Sequence, residues 1–306
     1  MDADISDTNG EPVIVDYPEW LPSVLDFLLA ARFGGPVVQP PEQDIINLCT
    51  EAKKMFLAQP MVLELTGGVN VVSDINGQYA DLLRIFKRSG YPGPAANYVF
   101  LGNYIGYGAE SMEVLCLVLA YKIRYPENFF LLRGSHETAQ MSRNGRIYDQ
   151  CKRYDTYLWS TFVDLFNCMP VAAKIQDKIF CVHGGLSPNL LSMEQILRRA
   201  RTTDKFGTGL LRDLLWNTFD RCTVEWKPQD EAGEFEVVSR FLQKHDMEFI
   251  VRGHDIVDAG YEFSARRHVL TLCSAADVVA EDGSKAANTG AIVRVDESLR
   301  CHFEVR

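Results

Sequence analysis

Short apolar runs alternate with amphipathic stretches between residues 69 and 132. Residues 69–72, 98–101 and 129–132 are β-rich and mostly apolar, which is typical of strands buried on both faces. Residues 79–87 and 110–123 lie between these runs and carry apolar positions at helical spacing. This order predicts a β-α-β-α-β core in which helices cover a buried sheet, and hence an α/β fold.

The segments on either side of this core predict further elements. Two helices are expected at 18–33 and 41–58, since Ile45, Cys49 and Ala52 recur at helical spacing in the second. A hairpin around Gln176 and Asp177 is expected, together with a strand-rich C-terminal third. The further predicted strands are 172–175, 178–182, 249–251, 269–272, 291–295 and 302–305. Residues 1–15 are expected to form a flexible tail before one domain, 16–306.

Polar and glycine-containing loops follow five of the predicted strands. Ligands of open α/β sheets bind at the carboxyl ends of strands, where glycine allows sharp turns. We therefore expect these side chains to converge: Asp74, Asn76, Asn103, Ser135, His136, His183 and His254. The pattern indicates a metal-assisted hydrolase site, or what remains of one. Each histidine taken alone is more often a structural residue of the core.

Charge and cysteine content narrow the class of protein. With 31 Lys and Arg against 41 Asp and Glu, the net charge is −10, which argues against nucleic acid or anionic membrane as the main partner. The eight cysteines form no CxxC pair, and most lie in apolar stretches, as expected of buried free thiols. Neither a signal peptide nor a long apolar run is evident. These features favour the cytoplasm, the nucleus or both.

Two long segments resemble the phosphoprotein phosphatase (PPP) family, and within it the type-one catalytic subunits. They are LVLAYKIRYPENFFLLR at 117–133 and KIFCVHGGLSP at 178–188. The resemblance extends over about residues 20 to 305. It implies a calcineurin-like metallophosphoesterase fold, with a central β-sandwich flanked by helices. It also implies a serine/threonine phosphatase site with two metal ions that activate a bridging water.

The metal-binding motifs of that family are only partly present. The family's GDxHG, GDxVDRG and GNHE motifs correspond here to residues 73–77, 102–108 and 134–137. Asp74, His183 and His254 match family metal ligands. Asn76 replaces a histidine ligand, Asn103 replaces the aspartate that bridges the two metals, and Ser135 replaces an asparagine ligand.

Positions that handle the proton and the phosphate have also changed. His136 matches the family's general acid, but Gly106 stands where an aspartate orients that acid, so His136 is expected to lack support. Tyr107 stands where the family has a phosphate-binding arginine, and Glu231-Ala232-Gly233 supplies no second one.

The change at Asn103 bears most directly on metal binding. A carboxylate bridges two dications because its charged oxygens are shared, whereas a carboxamide offers one neutral oxygen and a repelling NH₂ group. A dinuclear Mn, Fe or Zn centre is therefore not expected, and at most one divalent ion is expected on His183, His254 and Asp74. The alternative is that these three residues only hydrogen-bond within the fold.

Docking positions match the family better than catalytic ones do. PPP enzymes of type one bind regulators through an RVxF-type peptide, which adds to a sheet edge and fills apolar pockets. The positions matching that groove are Ile179, Phe249, Phe263, Arg267, Leu270, Leu272, Val293, Leu299, Cys301 and Phe303. Arg300 departs from the type-one pattern at the rim and favours peptides with acidic flanks. The alternative is that these are ordinary core residues of strands.

Three functions remain open at this stage. The favoured one is a pseudophosphatase that acts as a protein-binding or scaffold subunit through RVxF-type partners. The second is a residual metal-dependent serine/threonine phosphatase with weakened or altered activity. The third is phosphoprotein binding without cleavage, for which Arg133 and Arg252 are the available cations; the lost arginines argue against it.

Overall fold

The computed structural model describes residues 17–30, 40–154, 156–199, 201, 209–218 and 231–306. The helices are α1 Leu21–Leu29, α2 Glu42–Ala58, α3 Tyr79–Ser89, α4 Ser111–Arg124, α5 Ala139–Asn144, α6 Arg146–Cys151, α7 Thr156–Phe166, α8 Glu194–Leu197, α9 Leu210–Trp216 and α10 Glu231–His245. The strands are β1 Val62–Leu65, β2 Val69–Val72, β3 Asn97–Phe100, β4 Phe129–Leu131, β5 Ala172–Ile175, β6 Ile179–Val182, β7 Phe249–Arg252, β8 Tyr261–Ser264, β9 Val269–Leu272, β10 Ala291–Val295 and β11 Cys301–Val305.

The strands form two mixed sheets. One sheet has the order β1-β5-β6-β7-β9-β8, and the other has the order β11-β10-β2-β3-β4. Strands β2, β3 and β4 are parallel and connected through α3 and α4, so the β-α-β-α-β core predicted from the sequence is confirmed. The hairpin of β5 and β6 is also confirmed. Helices flank the sheets, as expected of a calcineurin-like metallophosphoesterase fold.

Alternate residues of the strands face two different cores. Val69 and Val71 of β2 join Leu270 and Val293 in an apolar cluster built from strands of both sheets. Val72 instead belongs to a second cluster, which packs the outer face of the smaller sheet against the helices. Because β2 is covered on both faces, all four of its residues are buried, including the polar Asn70.

The first helix is shorter than the sequence pattern predicts. It begins at Leu21 rather than near residue 18, and Pro22 lies in its first turn. Proline is tolerated there because its missing N–H would have no intrahelical partner, whereas a start at 18 would place it deeper in the helix. The second predicted helix is confirmed at Glu42–Ala58. The proposed tail and residues 31–33 lie outside the described part of the chain.

Two glycines allow the central loops to approach each other. A Cβ atom on Gly102 would lie 2.4 Å from the backbone of Gly134, and Gly102 has a φ of 117°, so another residue would be strained there on both counts. The loops after β3 and β4 are therefore held in direct backbone contact.

None of the helices described here has the length and apolar character needed to cross a membrane.

Lys122 is an unusual buried charge in α4. Its side chain is inaccessible, its Nζ donates a hydrogen bond to the Pro126 carbonyl at 2.7 Å, and the Phe130 ring centroid lies 5.2 Å away. Burial lowers the pKa of Lys122 to about 7, although nearby Glu127 opposes the shift.

Replacing Lys122 with methionine should flatten the pH dependence of stability between pH 7 and 8.5. The folded-state pKa is depressed, so above pH 7 the unfolded chain binds the extra proton, and wild-type stability rises with pH by up to about 1.4 kcal/mol per unit. Above pH 9 the buried thiols, such as Cys49, whose pKa burial raises, begin to oppose this trend. Denaturant unfolding at the two pH values measures the slope.

The control is Lys54→Met, because the Lys54 side chain is 66% exposed. That variant should keep the wild-type slope. An unchanged slope in Lys122→Met would show that Lys122 is not the titrating group.

Candidate active site

The ends of β2, β3, β4, β6 and β7 meet at one edge of the sandwich, as the sequence predicts. Backbone hydrogen bonds join the loops: Asp74 N donates to Gly102 O at 3.2 Å, and Asn76 N donates to Asn103 O at 2.9 Å. In the other sheet, Gly253 N donates to His183 O at 3.0 Å. The site is therefore assembled by short strand-end loops rather than by long insertions.

Four site residues adopt left-handed backbone conformations. The φ angles are 39° at Asp74, 52° at Asn76, 56° at Asn103 and 73° at His254. Asp, Asn and His tolerate this region better than other side-chain-bearing residues, but each still costs on the order of 1 kcal/mol or more. Surrounding contacts must offset that cost, and these φ angles mark the site as a constrained part of the fold.

Asn103 joins three of the loops through both ends of its carboxamide. Its Nδ2 donates to Asp74 Oδ1 at 2.8 Å. Its Oδ1 accepts from the backbone N–H of His136 at 2.9 Å and from the Ser135 hydroxyl at 3.3 Å. The predicted neighbours of Asn103 are thus brought together, and a hydrogen-bonded amide lies at their centre.

Asp74 is buried with donors on both carboxylate oxygens. Oδ2 accepts from the Ser73 hydroxyl and from the backbone N–H of His254, the latter at 2.9 Å. Burial raises the pKa of Asp74 to about 6, while the donors from Ser73, His254 and Asn103 oppose the shift.

Ser135 lies between the two retained histidines. Its Oγ is 3.3 Å from His183 Nε2 and 3.3 Å from His254 Nδ1. The two imidazole rings meet edge to face with centroids 5.2 Å apart. Burial, with His254 nearby, holds the pKa of His183 well below its usual range. Over the described ranges, no three His, Cys, Asp or Glu side chains are arranged to hold a metal ion.

His136 has a partner that the sequence did not predict. Its Nδ1 lies 2.8 Å from the backbone carbonyl of Ile105, so the expectation of an unsupported His136 needs correction. A carbonyl orients the ring but carries no full charge, and burial lowers the pKa of His136. Gly106 itself packs tightly, since a Cβ atom there would lie 3.0 Å from Asn76 Cα.

Tyr107 and Asn76 complete the set of changed positions. The Tyr107 ring meets the His136 ring edge to face at 6.1 Å, and its hydroxyl donates to Glu281 Oε2 at 3.4 Å. This contact joins the loop after β3 to the segment between β9 and β10. Asn76 is 5% exposed, and its Oδ1 has no hydrogen-bond partner in the described structure.

Glu137 is the residue that the sequence analysis missed. Its buried carboxylate accepts four backbone N–H groups: Asn103 at 2.8 Å, Tyr104 at 2.9 Å, Ile105 at 3.3 Å and Gly134 at 3.0 Å. Burial raises the pKa of Glu137 to about 7 against these bonds. An acid next to a candidate catalytic histidine is a signal that could have found it.

Arg133 and Arg252 are structural residues. Arg133 is 3% exposed and donates to Glu137 O and to Asn167 Oδ1, both at 2.8 Å. Arg252 is 2% exposed and pairs with Asp255 at 2.6 Å. With both guanidinium groups engaged in the interior, neither presents its charge to a phosphorylated ligand.

Nine of the ten predicted docking positions belong to one apolar cluster, which is built from strands of both sheets and includes residues of the edge strands β8 and β11. All ten come from β6, β7, β8, β9, β10, β11 or the turns beside them, which include the edge strands β8 and β11 and also the interior strands β6 and β7. Ile179, Leu270, Leu272 and Val293 are buried between the sheets, while Phe249, Phe263, Leu299, Cys301 and Phe303 are partly buried against the same cluster. Exposed Arg267 stacks over Phe263 at 4.7 Å, and Arg300 is exposed at the rim.

Comparisons with known proteins agree with this architecture. Residues 69–258 match the calcineurin-like phosphoesterase family, and residues 23–66 match the serine-threonine protein phosphatase N-terminal domain. A Saccharomyces cerevisiae protein serine/threonine phosphatase with similarity to human phosphatase PP5 has a similar structure, with a TM-score of 0.81 and 24% identity over 93% of this chain and 95% of that chain. A cold-active protein-tyrosine phosphatase of a psychrophilic Shewanella species gives 0.56 and 17% over 81% and 83%.

Glu137→Gln should destabilise the protein by about 2–4 kcal/mol. Two N–H donors approach each carboxylate oxygen, so the amide nitrogen of glutamine faces two donors in either orientation and leaves them unpaired. Denaturant unfolding measures the loss. Glu248→Gln is the matched control, since the Glu248 side chain is 72% exposed, and it should change little. Equal stability of the two variants would contradict the role assigned to Glu137.

Proposed function

The chain belongs to the calcineurin-like phosphoesterase family, and we propose that it is a catalytically impaired serine/threonine phosphatase-like protein. In this proposal it acts as a binding or scaffold subunit, and regulatory proteins with RVxF-type motifs are its partners. The proposal further assigns the chain to the PPP family, near its type-one catalytic subunits, and calls it a pseudophosphatase.

The observation that carries this proposal is the amide at position 103. Asn103 directs an N–H group at Asp74 from 2.8 Å, where a metal-bridging residue must direct a negative oxygen at cations. Asp74 is the one carboxylate among the six metal-ligand positions, and donors engage both of its oxygens: Asn103 at Oδ1, and Ser73 and the His254 backbone at Oδ2. This donor set does not fit two divalent ions at about 3.5–4 Å, whose mutual repulsion needs bridging negative charge.

The residues at the phosphate-binding and proton-donating positions also support impaired catalysis. At position 107 a phenol, hydrogen-bonded to Glu281, replaces the cation that would hold the phosphoryl oxygens. His136 keeps an orienting partner, but the Ile105 carbonyl stabilises an imidazolium less than a carboxylate does. Metal capture, proton donation and phosphate binding are thus weakened together.

Docking is supported by the chemistry of the open sheet edges. β11 is an edge strand, so its outer backbone groups can pair with an added peptide strand. Beside it, the Tyr261 and Phe303 rings stack at 4.5 Å, and the Phe263 and Phe303 rings lie 5.8 Å apart. These partly exposed rings suit apolar side chains of a peptide. The acidic net charge favours protein partners over nucleic acid or membrane.

A residual metal-dependent phosphatase is the second candidate. It is favoured by the hydrogen bonds that link His183, His254 and Asp74 through Ser135 and the His254 backbone, although their side chains would have to move to share an ion. Two imidazoles and a carboxylate are a known set of ligands for one divalent ion.

A cytoplasmic or nuclear setting is proposed as well, because the described cysteines are free thiols.

The decisive measurement is hydrolysis of a generic phosphoester with excess Mn²⁺. We expect turnover more than about tenfold below that of an ordinary type-one subunit, since losing several ligands costs more than the roughly 10–100-fold typical of a single outer change. No stoichiometric transition metal should remain after purification in metal-replete buffer. Turnover within that margin would reject the proposal in favour of the residual enzyme.

A combined reversal, Asn76→His with Asn103→Asp and Ser135→Asn, serves as the positive control for the metal analysis. It should restore metal binding but little turnover until Gly106 and Tyr107 are also reverted. The Gly106→Asp step must displace the Asn76 backbone by a few tenths of an ångström, because the space there is tight.

Docking is tested by fluorescence anisotropy with a labelled RVxF-type peptide. Phe303→Ala should weaken binding by about tenfold or more, since a partly buried aromatic anchor is lost. Tyr157→Ala removes an aromatic ring that is 66% exposed and remote from the groove in sequence, and should leave binding unchanged. No saturable binding by the wild-type protein would remove the docking part of the proposal.

A further inference from the structure

The loops after β2, β3 and β4 carry strain that some contact must offset. Asp74 and Asn103 adopt left-handed φ angles of 39° and 56°, and their loops meet where Gly102 and Gly134 leave no room for side chains. Strained residues of this kind persist only where the surroundings over-determine their conformation. Backbone bonds from Asp74 and Asn76 to the 102–103 segment supply part of that restraint.

The Asn103 carboxamide supplies a restraint that reaches all three loops. Its nitrogen holds the Asp74 carboxylate after β2, and its oxygen holds the His136 N–H after β4. Asn103 is 3% exposed and Asp74 is 3% exposed, so water competes little for these bonds. A donor at one end and an acceptor at the other are both needed, and an amide provides them without charge.

A carboxylate at position 103 would meet a different electrostatic situation. One of its oxygens could still accept from His136, but the other would occupy the position of Nδ2, 2.8 Å from Asp74 Oδ1. Two buried like charges at that distance repel strongly. The charge that would best relieve the repulsion is a divalent cation bound by both carboxylates.

We infer that the Asn103 carboxamide is a neutral cross-link which holds the three strand-end loops together without a metal ion, and that aspartate at this position would make the stability of the fold depend on a divalent cation. The inference concerns how the fold is held, so it stands apart from the docking proposal and from any assay of turnover.

The test compares melting temperatures in EDTA and in Mn²⁺. The wild-type protein should melt at the same temperature in both. Asn103→Asp should melt about 5 °C or more below wild type in EDTA and should regain at least half of that loss in Mn²⁺. Asn97→Asp is the matched control: Asn97 is a half-buried amide outside the site, and its variant should show no response to Mn²⁺.

Asn103→Leu separates loss of the cross-link from repulsion between charges. Leucine removes all three hydrogen bonds of the carboxamide and adds no charge, so the melting temperature of this variant should fall equally in EDTA and in Mn²⁺. If Asn103→Asp shows no Mn²⁺ response, or if wild-type protein melts lower in EDTA, the inference is wrong.

A measurement on the wild-type protein covers the case in which Asn103→Asp fails to fold. In EDTA, the Asn103 side-chain NH₂ protons and the His136 backbone proton should exchange with solvent as slowly as amides in the centre of β3. Fast exchange of these protons in folded protein would overturn the inference, because the cross-link would then not be closed in the absence of metal.

Discussion

The negative charge of Asp74 is the constraint around which this site is organised. The carboxylate lies at the crowded edge where five strands end, and it is almost fully buried. Such a charge must be matched, by cations or by hydrogen-bond donors. Here the donors come from Ser73, Asn103 and the His254 backbone. The residue at position 103 is therefore both a partner of the buried Asp74 charge and a contact between the strand-end loops.

The scaffold beneath the site also contains restraints that do not involve the Asn103 side chain. Two sheets share an apolar core, and the helices cover their outer faces. Glu137 collects four backbone N–H groups from the loops after β3 and β4, and Gly102 and Gly134 allow those loops to touch. Glu137 and these glycines restrain the strand ends in addition to Asn103, so we expect a change at position 103 to lower stability more than it alters the architecture.

Prediction from sequence worked where many residues contributed to one pattern. The runs at 69–72, 98–101 and 129–132 predicted buried strands, and the polar residues after them did converge. It failed where a single local contact decided the outcome. Pro22 lies in the first turn of α1 and limits where that helix can begin. His136 Nδ1 pairs with the backbone carbonyl of Ile105, and the position of a backbone group cannot be inferred from residue types. The role of Glu137 was missed for the same reason, since its partners are all main-chain donors.

The sequence by itself determined the order of strands and helices, the family resemblance and which polar residue types stand at the strand ends. Those properties follow from hydrophobic periodicity and from motif spacing, which are local in the chain. Only the tertiary structure decided which ends of the Asn103 amide meet which partners, that both oxygens of Asp74 are engaged, and that Arg133 and Arg252 face inward. Hydrogen bonds depend on distances of a few tenths of an ångström between segments far apart in sequence, and those distances are set only when the two sheets pack.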